Sequence, residues 1–340
     1  MRPLIVVAGD VLVDVDICTT ATRVTDDGLP VIAGFDSWTS QFGTKLDYAA
    51  FENETHISIG GAAAVARMAH GLGADVLLLG NSLAAHNRRG DWRDLYQPAT
   101  AERPNSIWSM SISQWTEPSV KRRLLVDGKP VVRVDQDNRV PLTELAKATQ
   151  GRIRARLRER PQGQPVYMIL SDYAKGMLDN PQVIRDLVAT VDPVELFVDP
   201  HSSRDLRSVR EHFGACDVVA LPWSNPQGVG RLDGVKRNLW KKRQDGMCLV
   251  DNALGGEQIC VCPGDFGFWR CDLKDQPLDT CGCGDMAIAA LAVARGEGAG
   301  WEHAVCFATA AAAEKTLVRG ANPIPRSVVD ARLNFVGLPS

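Results

Sequence analysis

The 340-residue sequence contains no run approaching the ~20 uninterrupted apolar residues of a membrane helix. Its first apolar run, Leu4-Ile5-Val6-Val7-Ala8, is cut at once by Gly9 and Asp10, so it reads as a strand and not as a leader. Charge of one sign is not in excess either: 38 Lys+Arg against 41 Asp+Glu leave −3, which argues against a dominant nucleic-acid footprint. Internal repeats and low-complexity segments are missing, which removes solenoids and disordered tails. What remains is ordinary: 45% hydrophobic and 23% charged residues, the composition of a soluble globular protein. The length suits two domains or one large α/β domain. Nine cysteines, an odd number in a chain too long to depend on disulfides and without an export signal, predict reduced thiols and a cytoplasmic protein.

Leu4–Ala8 has the unbroken β-rich pattern of a strand buried on both faces of a parallel sheet. From Cys18 to Ile57, short alternating pieces such as Leu29-Pro30-Val31-Ile32-Ala33 predict a small antiparallel appendage, a lid or dimer clasp, with a decorated surface loop as the plainer alternative. Gly60-Gly61 opens an alanine-rich helix that ends near Gly71 and Gly73, and Asp75–Gly80 follows as a strand. Ser106–Ser113 and Lys121–Val134 alternate like strands, the second with a turn at Asp127-Gly128. Thr143–Arg160 reads as a charged helix, Pro165–Leu170 as a strand, Asn180–Thr190 as a helix and Leu196–Val198 as a strand. Such alternation predicts an α/β protein with an open, mostly parallel sheet and helices on both faces. Ligands then sit beyond the strands' carboxyl ends, which here carry Gly9-Asp10, Ser171-Asp172-Tyr173, Asp199-Pro200 and Leu221-Pro222.

The sharpest chemical signal is Asp279-Thr280-Cys281-Gly282-Cys283-Gly284-Asp285, followed directly by the helical run Met286–Arg295. Glycines there let backbone amides approach a ligand where a helix's unpaired N–H groups and positive dipole end face an anion. An aspartate in the first turn can take a proton from a substrate hydroxyl while those amides hold a phosphate. On spacing alone, a plain helix acid stabilised by the dipole is the commoner reading of such an aspartate.

This segment resembles the C-terminal signature Asp-Thr-x-Gly-Ala-Gly-Asp of the PfkB (ribokinase-like) carbohydrate kinases, with Cys283 in the alanine position. Gly9-Asp10 to Asp14 resembles the first strand and its sugar-contacting aspartate, and Gly60-Gly61-Ala62-Ala63 resembles the N-terminal di-glycine signature. Ser171-Asp172-Tyr173-Ala174-Lys175-Gly176 with Asp199-Pro200 resembles one branch, the heptose-7-phosphate kinases that form half of bifunctional ADP-heptose synthesis proteins. Thr22-Arg23-Val24 to Leu29-Pro30-Val31, Lys121-Arg122, Arg133-Val134-Asp135 and Phe307-Ala308-Thr309-Ala310-Ala311-Ala312 follow the same branch. The resemblance spans nearly the whole chain and implies a stand-alone, single-domain kinase, residues 1–340, with a β lid from about 15–57 and 106–134.

The resemblance implies transfer of the ATP γ-phosphate to a sugar hydroxyl, with Mg²⁺ accompanying the nucleotide. Asp285 would be the general base, and the amides of Gly282, Cys283 and Gly284 would stabilise the moving phosphoryl group. Asp14, Gly60 and Gly61 would hold the sugar, with Asp10 and Asp172 on the same side and Lys175 meeting a phosphate; Arg23, Lys121 and Arg122 are weaker candidates for that anion. Asp279, Gly246, Asn225 and Thr309 would lie on the nucleotide side. A homodimer through the lid is the expected assembly, with neither nucleic acid nor membrane as partner.

The departures bear on substrate and metal. Ala64 replaces an asparagine that contacts the sugar in many relatives. The Asn-x-x-Glu metal-associated motif survives only as Asn225 in Pro222-Trp223-Ser224-Asn225-Pro226-Gln227-Gly228, and Thr-x-Gly is replaced by Leu239-Trp240-Lys241-Lys242, with Gly246 alone recognisable. These leave open another sugar or nucleoside substrate, or a weakened sugar-binding relative. Cys260-Val261-Cys262 and Cys281-Gly282-Cys283 have the wrong spacing for a structural zinc, so no protein-held metal is expected. His201 stands where the heptose branch often has lysine. Trp108 and Trp115 read as core or interface.

Overall fold

The computed structural model describes residues 1–19, 23–25, 30–31, 55–81, 105–112, 118–127, 129–139, 141–204, 209–222, 232, 234–242, 245–252, 256–262 and 278–335. Its strands are β1 (Leu4–Gly9), β2 (Val11–Thr19), β3 (Arg23–Val24), β4 (Pro30–Val31), β5 (Thr55–Gly61), β6 (Asp75–Gly80), β7 (Ile107–Ser111), β8 (Ser119–Val126), β9 (Lys129–Gln136), β10 (Val166–Ser171), β11 (Glu195–Asp199), β12 (Cys216–Pro222), β13 (Val235–Lys241), β14 (Met247–Asp251) and β15 (Glu257–Val261). Its helices are α1 (Ala62–Gly71), α2 (Lys147–Arg158), α3 (Pro181–Val191), α4 (Val209–Phe213), α5 (Cys283–Gly296), α6 (Trp301–Lys315) and α7 (Arg326–Phe335).

Every residue of β1 is buried, because Ile5 and Val7 face one core while Leu4, Val6 and Ala8 face the other. That two-sided burial puts β1 inside a nine-stranded sheet of order β15-β14-β13-β12-β11-β10-β1-β6-β7. The strands from β13 to β7 run parallel, and β14 and β15 return antiparallel at one edge. From β1 the chain moves outward through β6 and β7, then returns to β10 and builds the other way. The strand order therefore reverses between β1 and β10, where a ligand crevice forms beyond the carboxyl ends. Asp10 and Asp172 stand immediately after those two strands.

Helices α1, α5 and α6 share one core with Ile5, Val7 and Phe197, and α2, α3 and α4 share the opposite one with Val6, Met168 and Val198. Alanines at 62–64, 66 and 69 of α1 and at 287, 289 and 290 of α5 are buried, and their small side chains let the two helices approach closely. The start of α3 is set locally: Asn180 caps the Gln182 amide at 2.9 Å and Pro181 occupies the first turn.

A second, four-stranded sheet of order β5-β2-β8-β9 stands beside the main one. Its strand alternation separates a charged face, with Asp14, Asp16, Lys121 and Arg123, from an apolar face with Val13, Val15 and Val120. Its strands fall within the ranges expected for the appendage as far as those are described, residues 32–54 and 113–117 lying outside the described residues, and two boundaries differ. β2 begins already at Val11, continuing directly from β1, and residues 107–111 form edge strand β7 of the main sheet, where Ile107 pairs with Val76. Parallel pairing with β6 buries Ile107 completely, which outweighs its proximity in sequence to the lid.

The wholly reduced thiols expected from the sequence are also corrected. Cys248 and Cys260 lie directly opposite each other across β14 and β15 and are joined by a disulfide.

Phe197 is fully buried at the centre of the sheet. Phe197→Ala is expected to lower unfolding free energy by about 3–5 kcal/mol, the usual cost of such a cavity. Urea unfolding followed by circular dichroism checks this; a loss below ~1 kcal/mol would contradict the placement.

Candidate active site

The turn before α5 is built around two glycines and one carboxylate. Gly282 caps the helix with φ 77°, a left-handed conformation, and a Cβ there would lie 2.9 Å from the Met68 methyl and 3.3 Å from Ala321 Cα. Asp279 fixes the turn from outside: Oδ1 accepts the Cys281 amide at 2.9 Å and Oδ2 accepts the Gly320 amide at 2.8 Å. Asp279 is thus spent on shaping the turn. Of the three amides expected to line an anion hole, that of Cys283 points at Thr280 O, 3.3 Å away, while Gly282 and Gly284 N–H have no acceptor among the described residues.

Asp285 follows in the first turn of α5 and is buried. The Tyr173 hydroxyl donates to its Oδ1 at 2.7 Å. Burial pushes the Asp285 carboxyl up to about 7; the Tyr173 hydrogen bond, Lys241 and Lys121 oppose the rise, and Asp199 adds to it. A carboxylate poised there can accept a proton near neutral pH. Burial likewise pushes the Cys281 and Cys283 thiols up to about 11 and about 12, so neither is an activated nucleophile.

Lys241, at the end of β13, pairs with Asp199, at the end of β11, at 2.7 Å. Its Nζ lies 3.4 Å from where a Gly284 Cβ would stand, so fixed positive charge borders the turn. Beneath the turn, the fully buried Lys315 donates to Val318 O at 2.8 Å, with Cys283 and Asp279 in its field.

The charged face of the four-stranded sheet borders the same turn. Gly60 is pressed against Asp14, since a Cβ would meet Asp14 Oδ2 at 2.2 Å; Gly61, at φ 64°, would meet Asp10 O at 2.2 Å. Asp14 aligns with Lys121 in the β2–β8 register, and Lys121 Nζ sits 4.3 Å over the Tyr173 ring. Burial raises the Asp14 carboxyl and lowers the Lys121 ammonium, and each partly restores the other's charge. Arg123 grips Asp16 with two bonds of 2.7 and 3.0 Å and reaches Asp279 at 3.5 Å, tying this sheet to the turn.

Several sequence candidates are already engaged by partners within the chain. Asp10 accepts the amides of Tyr173, Lys175 and Met177 at 3.1, 3.0 and 2.9 Å, so its carboxylate holds the 173–177 loop. Asp172 is consumed in the same way by Arg204, at 2.7 and 3.1 Å, and by the Ala174 amide at 2.9 Å. Thr309 donates to Val305 O at 2.8 Å inside α6, so its hydroxyl is committed to the helix. Gly246, at φ 87°, closes the β13–β14 turn, where its carbonyl accepts the Lys242 amide at 2.7 Å. Lys175 pairs with Asp137 at 2.6 Å. Arg122, on the opposite face of β8 from Lys121, bonds Gln136 at 3.1 Å and points away from the turn. His201 bonds Ser203 at 2.8 Å. Ala64 is completely buried, and Trp108 stacks under Arg156 at 3.4 Å. Asn225 and Trp115 fall outside the described residues, as does the Arg23 side chain.

Tyr173, Lys241, Arg123 and Lys315 were missed as a group. Arg123 was legible, because alternation puts it on the face of Lys121; Lys241 meets Asp199 across an intervening strand, which no local pattern announces.

No protein-family model matches the chain. Among curated proteins it is similar to the bifunctional protein HldE of Nitrobacter hamburgensis, 28% identical over 279 residues that make up 76% of this chain and 52% of that one. It is also similar to the bifunctional protein HldE of Azorhizobium caulinodans, 25% identical over 344 residues, 97% of this chain and 64% of that one. The chain thus spans between about half and two thirds of the length of these relatives. Among solved structures, ribokinase of Arabidopsis thaliana with ribose and ATP superposes with a TM-score of 0.62 at 17% identity, covering 99% of each chain. Phosphofructokinase-2 of Escherichia coli with substrates and products gives 0.63 at 15% identity, again covering 99% of each. The chain has the ribokinase fold, and the resemblance read from its motifs holds in sequence and in architecture.

Because the folded Asp285 carboxyl titrates about 7 and the unfolded one near 3.8, its contribution to stability is present below pH 3.8 and lost as pH rises through 7. Asp285→Asn removes that penalty, so the variant is expected to be more stable than wild type at pH 8, by up to about 4 kcal/mol. The gain should shrink toward pH 4, as measured by denaturant unfolding across pH; an equal effect at both ends contradicts a buried, raised carboxyl.

Proposed function

We propose that this chain is an ATP-dependent carbohydrate kinase whose acceptor is a heptose 7-phosphate or a similar sugar phosphate. The observation that carries this reading is Asp285, buried in the first turn of α5 directly after the Gly282 and Gly284 amides and raised to about 7. The ribokinase fold supports phosphoryl transfer, and the solved ribokinase with ribose and ATP supports the nucleotide. The relatives named bifunctional protein HldE, with the Ser171–Gly176 motif, support the heptose branch.

In this mechanism the acceptor hydroxyl gives its proton to Asp285 as its oxygen bonds to the γ-phosphorus. The bond from that phosphorus to the β–γ bridging oxygen breaks, and ADP leaves. The Gly282 and Gly284 amides and the Lys241 ammonium stabilise the charge on the moving phosphoryl group. Asp14, with the sugar lying against Gly60, accepts sugar hydroxyls, and Lys121 and Lys175 serve the sugar's own phosphate. Ala64 offers no hydrogen bond in place of asparagine, which keeps a different sugar as the second reading.

Mg²⁺ chemistry would be charge neutralisation on the nucleotide phosphates. The described donors do not fit a protein cage for it: they include no group of three or more His, Cys, Asp or Glu side chains placed to hold an ion, and Asp199 is already neutralised by Lys241. The ion would travel with ATP and retain most of its waters.

The lid sheet, its charged face over the site, would close on the sugar and exclude water. Its apolar face, extended by the half-exposed Val132 and Val134 of β9, is the expected contact of a homodimer. Among the described residues no helix is long and apolar enough to cross a membrane.

Coupled-assay kinetics with ATP–Mg²⁺ and a panel of sugars and sugar phosphates, heptose 7-phosphate included, test the activity. Asp285→Asn should lower kcat by at least ~10²-fold with little change in sugar affinity. Unchanged turnover removes Asp285 from the mechanism. For the assembly, Val132→Glu with Val134→Lys should convert a dimer to a monomer in sedimentation equilibrium, and a wild-type monomer refutes the clasp.

A further inference from the structure

The loop that follows β10 is held more firmly than a surface loop needs to be. Three of its amides end on the buried Asp10, and Asp172 at its start is clamped by Arg204, which also grips Asp179 at 2.7 Å. The side chain this scaffold presents to the site is Tyr173. Its hydroxyl reaches Asp285 Oδ1 at 2.7 Å, and its ring lies under Lys121 Nζ. Oδ2 of the same carboxylate takes no hydrogen bond from any described residue.

We infer that Tyr173 is a positioning residue for Asp285: its phenol clamps one carboxylate oxygen, Oδ1, so that the other, Oδ2, is the one that meets the acceptor hydroxyl. The inference rests on the kinase reading for the reaction, and on the geometry above for the clamp. A carboxylate held by a single side chain would otherwise rotate about its Cβ–Cγ bond and present either oxygen; a fixed donor removes that freedom and pre-organises the base. The rigidity of the loop argues for a clamp and against a plug that must swing away.

The same bond favours the ionised base. A neutral phenol donates more strongly to the carboxylate than to the protonated acid, so its loss makes protonation easier. The charged and titratable groups facing Asp285 are Asp199 from β11, Lys241 from β13, Lys121 from β8, and Cys281 and Cys283 from its own turn. Tyr173 itself stays protonated throughout, since burial and Asp285 raise it well above its ordinary value.

Tyr173→Phe keeps the ring beneath Lys121 and deletes only the donor. Carboxyl ¹³C NMR of aspartate-labelled protein, with the Asp285 signal identified by its loss in Asp285→Asn, reads the base directly. Its midpoint should rise by about one pH unit in Tyr173→Phe, the size of a lost charge-assisted hydrogen bond. The acid limb of kcat/KM should rise with it, giving about a fivefold loss at pH 7 that vanishes by pH 9. An unmoved NMR midpoint overturns the inference, as does an active enzyme whose acid limb stays in place. If wild type transfers no phosphate to any sugar in the panel, the kinase reading falls, and the NMR midpoint alone decides the clamp.

Discussion

A carboxylate buried at the positive end of a helix, in contact with a single tyrosine, is the constraint around which this molecule is arranged. Removing Asp285 from water disfavours its charge, and the helix end and the nearby lysines only partly compensate. The balance leaves a group that changes protonation near neutrality. Everything adjoining it has to keep that balance: Gly282 must take a left-handed conformation so that α5 can start where it does, and Met68 and Ala321 close off the room for any side chain there.

The supports converge from four parts of the chain that are far apart in sequence. Asp10, after β1, fixes the loop that carries Tyr173. Arg123, on β8, bonds Asp16 of the neighbouring β2 and ties this sheet to Asp279 in the turn. Lys241 and Asp199 bring the carboxyl ends of β13 and β11 to the same place. Such ion pairs and buried carboxylates contribute little to net stability once desolvation is counted, so their concentration here follows from function more than from folding. The stability comes from the two apolar cores on either side of the sheet, where no charged group is required.

The architecture was legible because it rests on periodicity. Leu4–Ala8, Asp75–Gly80 and Pro165–Leu170 are unbroken apolar runs that can only be buried on both sides, and the helices between them announce a parallel sheet. The limits of this logic show at Ser106–Ser113: the alternation identified a strand but not its partner, and pairing with β6 took it into the main sheet. Cys248 and Cys260 were unreadable for the same reason, since their meeting depends on the β14–β15 register. In the site, the turn from Asp279 to Asp285 and the pair Gly60-Gly61 were visible as motifs. The division of labour among the aspartates was not. Asp10, Asp14 and Asp172 look alike in sequence, yet Asp10 and Asp172 end on backbone amides and an arginine while Asp14 faces Lys121 of β8.

By itself the sequence determined the layering of helices and strands, the crevice at the strand ends and the position of the glycine-bordered aspartate, because these follow from local period and residue type. Only the tertiary structure decided which oxygen of Asp285 is held, that Tyr173 holds it, and that Lys241 stands beside Gly284. Hydrogen bonds and ion pairs act over about 3 Å, and which groups come that close is settled by strand order and register, which no neighbouring residue encodes.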